Sequence, residues 1–102
     1  MEKVKGKALF SNIFGKSTNL EVLDFLFMGK KLDFTLTQIS NGTGLSRTAI
    51  RNVLEQLTKD GLVVKSREDA KSSYFRVNEE GSKFKILDNL YENIKKEVIL
   101  SH

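Results

Sequence analysis

Residues 35–76 read TLTQISNGTGLSRTAIRNVLEQLTKDGLVVKSREDAKSSYFR, and the order of signals in this stretch decides the fold. Thr35 stands as an N-cap before a short helix, Leu36 to about Asn41, which Gly42 and Gly44 break. Ser46 caps a second helix, Arg47 to Asp60, and Gly61 is its left-handed stop. Leu62-Val63-Val64 opens one strand and Tyr74 to Val77 forms another, with the polar run Glu68 to Ser72 as the hairpin tip. Two helices crossing steeply through a very short turn need a small residue where they touch, a glycine in the turn and an apolar face on the second helix. Ser40, Gly44 and the set Ile39, Leu45, Ile50 and Val53 supply all three in register. The spacing therefore predicts a helix-turn-helix followed by a two-stranded wing.

Upstream, Val4, Ala8, Leu9, Ile13 and Phe14 fit a short amphipathic helix that Gly6 and Gly15 weaken. Ser17 or Thr18 caps a firmer helix, and Glu21 completes a capping-box pattern with Thr18. Leu20, Leu23, Leu26 and Phe27 give that helix its buried face, and Gly29 ends it. Lys30 to Phe34 is a connector, with Phe34 anchoring a short extended stretch. Downstream, Asn78 is expected to cap a final helix from about Glu79 to Leu100, with Gly81 a mild fault in its first turn. Phe84, Leu87, Tyr91, Ile94 and Val98 recur at spacings of 3, 4, 3 and 4, a heptad seam, and Ile86 and Leu90 form a second apolar flank beside it. The expected architecture is mainly α with a small β-hairpin (α+β). It is a winged helix with an N-terminal helical extension (1–16), a core (17–78) and a long C-terminal dimerisation helix (79–102).

Composition narrows the chemistry. The chain has no cysteine and one histidine, His102, so disulfides, thiolate metal sites and nucleophile–base pairs lack material. No catalytic constellation is expected, and nothing calls for a cofactor or a metal. Gly15 to Thr18, GKST, resembles the end of a phosphate-binding loop, but the first glycine is missing and no strand precedes it. The net charge of +4 is compatible with nucleic acid, and its distribution says more. Residues 46–78 hold Arg47, Arg51, Lys59, Lys65, Arg67, Lys71 and Arg76 against Glu55, Asp60, Glu68 and Asp69. No apolar stretch approaches the roughly 20 residues needed to span a bilayer, and no signal-peptide pattern opens the chain, so a cytoplasmic protein is expected.

On a helix of ~100° per residue, Ile50, Val53, Leu54 and Leu57 converge on one side of the second helix. The opposite side presents Thr48, Arg51, Asn52, Glu55 and Lys59, with Arg47 on the flank of the first turn. An α-helix of this kind fits the major groove of duplex DNA. Arginine there bonds guanine bidentately, asparagine pairs with adenine, and threonine touches a thymine methyl or a phosphate. Arg47, Thr48, Arg51 and Asn52 are the expected contacts, the amides after Ser46 a phosphate site, and Glu55 and Lys59 a solvated face. On the hairpin, Lys71 and Ser72 near the tip are the better candidates, because Glu68 and Asp69 would repel phosphate.

The strings LEQLTKDGLVVKSR and YFRVNEEG look like the winged helix-turn-helix regulators of the MarR, ArsR and PadR type. FGKSTNLEVLDFLF, with LDFTLTQIS and GLSRTAIRNVLEQL, is similar to small archaeal winged-helix transcription regulators. The resemblance covers about residues 13–90. It implies a DNA-binding repressor or activator, usually a homodimer. By position it places Gln38, Ser46, Arg47, Thr48, Arg51 and Asn52 at DNA-facing stations and Lys71 with Ser72 at the wing tip. The chain departs from the metal-sensing members in lacking cysteine and clustered histidine. The expected function is thus a sequence-specific, dimeric regulator on double-stranded DNA, its dimer seam running through Phe84, Leu87, Tyr91, Ile94 and Val98. A small-molecule effector is compatible with this but not specified. The alternative is a winged-helix protein-interaction module that does not touch DNA, which should expose more apolar surface on its second helix.

Overall fold

The computed structural model describes residue 15 and residues 17–100, with backbone only for residues 98–100. The expected N-terminal helix therefore lies outside the described residues, as does the Val98 side chain. Four helices and one hairpin follow in order: α1 (Thr18–Met28), α2 (Leu36–Thr43), α3 (Arg47–Lys59), β1 (Val63–Glu68), β2 (Ser73–Val77) and α4 (Ser82–Leu100). The fold is α+β, a winged helix.

α1 is the element around which the others assemble. Ser17 caps it, its Oγ accepting the Leu20 N–H at 3.1 Å, so the box expected between Thr18 and Glu21 does not form. Val22, Leu23, Leu26 and Phe27 form its buried face, and Asp24 beside them is buried as well. α2 runs two residues further than its glycines imply, through Gly42 to Thr43, and ends at Gly44 in the left-handed region. The reason is packing: a Cβ on Gly42 would lie 2.1 Å from Phe25 Cε1, so the glycine is the place where the ring of α1 rests on α2. That ring is itself held edge-on by Phe34, centroids 4.8 Å apart. Ser40, expected as the small contact, donates its hydroxyl to the Leu45 carbonyl at 2.7 Å and braces the turn.

α3 starts at the Ser46 cap, whose Oγ accepts the Ala49 N–H at 3.1 Å, and buries Ile50, Val53, Leu54 and Leu57. Gly61 follows with φ +81°, the left-handed turn that sends the chain into β1. The strands are antiparallel and longer than expected, reaching to Glu68 and back to Ser73. Phe34 adds one rung of a third strand, exchanging two backbone bonds of 2.8 Å with Phe75.

The last helix begins later than expected. Asn78 is not its cap: the Asn78 amide donates to the Gly61 carbonyl at 3.0 Å and its backbone N–H to the Leu62 carbonyl at 2.8 Å. The chain then turns through Gly81, which lies ahead of the helix and not inside it. α4 docks through large side chains. Phe27 stacks on Phe84 at 5.3 Å and meets Tyr91 at 5.5 Å, leaving the two α4 rings 6% and 3% exposed. These two residues of the expected dimer seam therefore belong to the protomer's own core. Leu87 and Ile94 pack partly against the same core, whereas Ile86 and Leu90 stand 70% and 39% exposed.

A polar clamp secures the same contact. Lys30 donates to Asp88 at 2.5 Å and to Glu92 at 2.8 Å. Burial works against the charged Lys30, but the bonds from Asp88 and Glu92 outweigh it and its pKa stands above the ordinary 10.5. The bond from Lys30 likewise holds Glu92 below the ordinary carboxylate value of 4.5. The contribution of Glu92 is thus present above pH 4.5 and lost as pH falls through its lowered pKa; that of Lys30 is present below 10.5 and lost as pH rises through its raised one.

Gly42→Ala tests the α1–α2 contact. Alanine gains helix propensity of about 1 kcal/mol, but a methyl forced onto the Phe25 ring costs about 1–3 kcal/mol, so a net loss is expected in denaturant unfolding. In a Phe25→Ala background the same change should turn neutral or stabilising; a loss of equal size there would remove the ring as its cause.

Candidate nucleic-acid interface

α3 turns its buried side to α1 and leaves Arg47, Thr48, Arg51, Asn52, Glu55 and Lys59 exposed. The Ile50, Val53, Leu54 and Leu57 contacts fix this rotation, since moving the helix by one residue would bury either Arg51 and Glu55 or Asn52 and Gln56. Thr48 and Asn52 face outward from the domain. Arg47 and Arg51 instead overlook a cleft of about 650 Å³ between α3, the start of α2 and the wing. Arg47 lies back across that opening, its guanidinium donating to the Thr37 hydroxyl.

Two of the expected contacts have local duties. The Gln38 side chain accepts the Thr35 N–H at 2.9 Å while Thr35 Oγ1 accepts the Gln38 N–H at 3.2 Å, a reciprocal cap that commits the carbonyl end of Gln38 to α2. Thr35 and Gln38 carry the spacing of a capping box, so this role was readable from the sequence. Ser46 keeps its hydroxyl on the Ala49 amide.

The wing is sorted by a bulge. Lys65 pairs with Phe75 and Arg67 with Tyr74, so Ser66 is an extra residue between consecutive rungs. Without it, Lys65 and Arg67 would share a face; with it they part. Lys65 lines the cleft together with Phe75, Lys71, Ser72 and Ser73. Arg67 lies over the Tyr74 ring, 3.7 Å from its centroid, on the other side of the hairpin. Arg76 joins it there, and both guanidinium groups approach Asp33 at 3.7 Å. Arg76 also reaches Glu79 at 3.6 Å. Asp33 Oδ1 is buried and makes no hydrogen bond among the described residues, so the two arginines face it only as charges.

The cleft is consequently basic. Arg47, Arg51, Lys59, Lys65 and Lys71 line it against one carboxylate, Glu55, over a floor that includes Leu36, Leu54 and Phe75. Lys59 and Lys65 were not among the expected contacts. Lys59 reads as one solvated charge of many, and the position of Lys65 depends on a bulge that no local motif announces. At the tip, Asp69 does not point at an incoming phosphate. Its Oδ1 accepts the N–H of Lys71 at 3.0 Å and of Ser72 at 2.9 Å, an Asx turn that holds both residues at the cleft mouth. These backbone bonds from Lys71 and Ser72 hold the Asp69 pKa below its ordinary 3.8. Among the described residues no group of acidic or histidine side chains could hold a metal ion, and no helix is long and apolar enough to cross a membrane.

Residues 20–67, just under half of the chain, match the model of the IclR helix-turn-helix domain. The match runs from α1 into the outgoing strand of the wing and contains the whole of α2, the turn and α3. The solved structure of reduced HlyU from Vibrio cholerae N16961 is similar, with 20% sequence identity, a TM-score of 0.61 and 84% of each chain covered. At that identity the likeness is one of fold, the winged helix. No curated protein matches the sequence significantly. The helix-turn-helix match supports a DNA-binding transcription regulator and not an enzyme.

The Asx turn makes the wing tip sensitive to acid. The turn is present above the unfolded pKa of Asp69, near 3.8, and is lost as pH falls through the lower folded value. In an NMR titration the Lys71 and Ser72 amide signals should move together with a midpoint below 3.8. Asp69→Ala should abolish that shared step, and its persistence in the variant would assign the turn to other bonds.

Proposed function

We propose that this protein is a sequence-specific regulator that binds double-stranded DNA as a homodimer. α3 would enter the major groove, and the wing would close over the neighbouring backbone. The observation that carries the reading is the sorting of cations. Arg51, Lys59, Lys65 and Lys71 converge on the cleft beside α3, whereas Arg67 and Arg76 are turned to carboxylates behind the hairpin. A surface selected only for solubility has no reason to separate them. Thr48 and Asn52, outward on α3, together with Arg51 are the base readers in this proposal. Lys65, Lys71 and Ser72 hold a phosphate strand at the cleft, and Arg47 and the amides after Ser46 hold another near the start of α3.

The dimer rests on Ile86 and Leu90, large apolar side chains left exposed on the longest helix. Two-fold symmetry would set two copies of α3 on half-sites about 34–36 Å apart. Kinship with the MarR, ArsR and PadR regulators, and with their small archaeal forms, belongs to the same proposal, as does a cytoplasmic location beside the DNA. An effector is left open. The polar, arginine-bearing face of α3 speaks against a docking module that ignores DNA.

Fluorescence anisotropy with DNA fragments selected from a random pool tests the assignment. Lys65→Ala and Lys71→Ala should each weaken binding to all duplexes evenly and lower the salt slope by about one. Arg51→Ala should flatten the difference between selected and random sequence by about 1–3 kcal/mol. Arg67→Ala should bind as the parent does. Equal losses from Arg67→Ala and Lys65→Ala would remove the cleft as the contact surface.

A further inference from the structure

With Phe84 and Tyr91 turned into the core, the outward strip of α4 is a different set from the heptad seam of the sequence. Lys83, Leu87, Leu90, Ile94 and Glu97 follow one another at spacings of 4, 3, 4 and 3, on the flank of the core-facing stripe. Lys83, Leu90 and Glu97 are exposed, and Leu87 and Ile94 are half-buried with one side against the core. Ile86, 70% exposed, widens the strip beside Leu90. Asp88, Glu92 and Lys95 lie on the opposite flank, where Asp88 and Glu92 hold Lys30 and Lys95 pairs with Glu92.

Read along the helix, the strip is a lysine, three apolar residues and a glutamate, with charges of opposite sign equidistant from Leu90. Such a surface complements itself only when reversed. A parallel pair of α4 helices would set Lys83 against Lys83 and Glu97 against Glu97, two repulsions in the same interface. An antiparallel pair with its two-fold axis at Leu90 sets Ile86 opposite Ile94 of the partner subunit, with Leu87 one residue along, and makes two Lys83–Glu97 pairs. The 3, 4 spacing is that of a coiled-coil seam, and a self-complementary patch is what an isologous dimer requires. A different protein would have no need of charge antisymmetry centred on one residue.

Resting on the homodimer reading above, we infer that the occupant of this strip is a second copy of the chain. Its α4 runs antiparallel, Leu90 lies on the two-fold axis, and Lys83 and Glu97 fix direction and register. The apolar middle supplies the attraction; the end charges exclude the parallel arrangement and its shifted alternatives. The interface then lies beside the α4–α1 contact and shares Leu87 and Ile94 with it, while Phe84 and Tyr91 stay in the protomer's core.

The absence of cysteine permits a direct test by single-cysteine cross-linking of the full chain under mild oxidation, beside light scattering. Leu90→Cys should cross-link to itself. Lys83→Cys and Glu97→Cys should each fail alone and cross-link when mixed. Self-cross-linking of both end variants, or none from Leu90→Cys in a protein that scatters as a dimer, would overturn the register and leave the dimer standing. A monomer at micromolar concentration would overturn both. Lys83→Glu or Glu97→Lys should weaken the dimer roughly ten-fold, since two pairs change sign at once, and the double exchange should restore it. Failure of the double exchange to restore affinity would remove the charge pair from the interface. Both positions are exposed, so the variants keep the protomer's core.

Discussion

The contact of Phe27 with the two rings of α4 is the interaction on which the arrangement of the molecule depends. Phe27 sits on the helix that α2, α3 and the hairpin already surround, and it is 1% exposed. Its outer side is closed by Phe84 and Tyr91. α4 makes little close backbone contact with the rest of the fold, so the orientation of the longest helix is set by side chains: these three rings, Leu87 and Ile94, and the Lys30 clamp. Aromatic side chains suit that task because they bridge widely spaced helices with large, stiff surfaces. Turning Phe84 and Tyr91 inward also determines which residues of α4 remain outside. The exposed strip follows from the buried one.

The basic cleft has a comparable dependence on a single residue. Ser66 contributes no charge, yet as the extra residue in β1 it separates Lys65 from Arg67. One cation then lies with α3 on the cleft, and the other lies on Tyr74 near Asp33. The hairpin thereby presents a basic side and a neutralised side. Asp69 completes the arrangement, because its carboxylate, still charged, is bonded inward to the Lys71 and Ser72 amides and fastens the turn.

What the sequence disclosed and what it hid divide by range. The caps at Thr35 and Ser46, the stops at Gly44 and Gly61, and the exposed side of α3 are all local, encoded within a few residues of where they act. Features that depend on a distant partner were misread. Gly42 looks like a helix breaker until Phe25 is known to rest on it. Asn78 looks like a cap until the Gly61 carbonyl, which precedes it by 17 residues, is known to lie beside it. Phe84 and Tyr91 have the spacing of an interface, and periodicity cannot say which of two apolar surfaces a stripe will meet. Gln38 is a separate case. Its capping role was legible, but a polar side chain near a recognition helix invites a functional reading first.

The Asn78 bonds to Gly61 and Leu62 have a consequence for loop length. They close the hairpin at its base, so the chain between Gly61 and Asn78 is a cassette with both ends fixed to each other. Lengthening such a loop at its tip adds little entropic cost, about 0.6 kcal/mol per doubling. It does not change the direction in which α4 departs. The wing can therefore vary in length and charge while α3 and α4 stay as they are. In the proposed regulator, affinity for the backbone, choice of bases and partner geometry would be three separately adjustable properties of a chain of 102 residues.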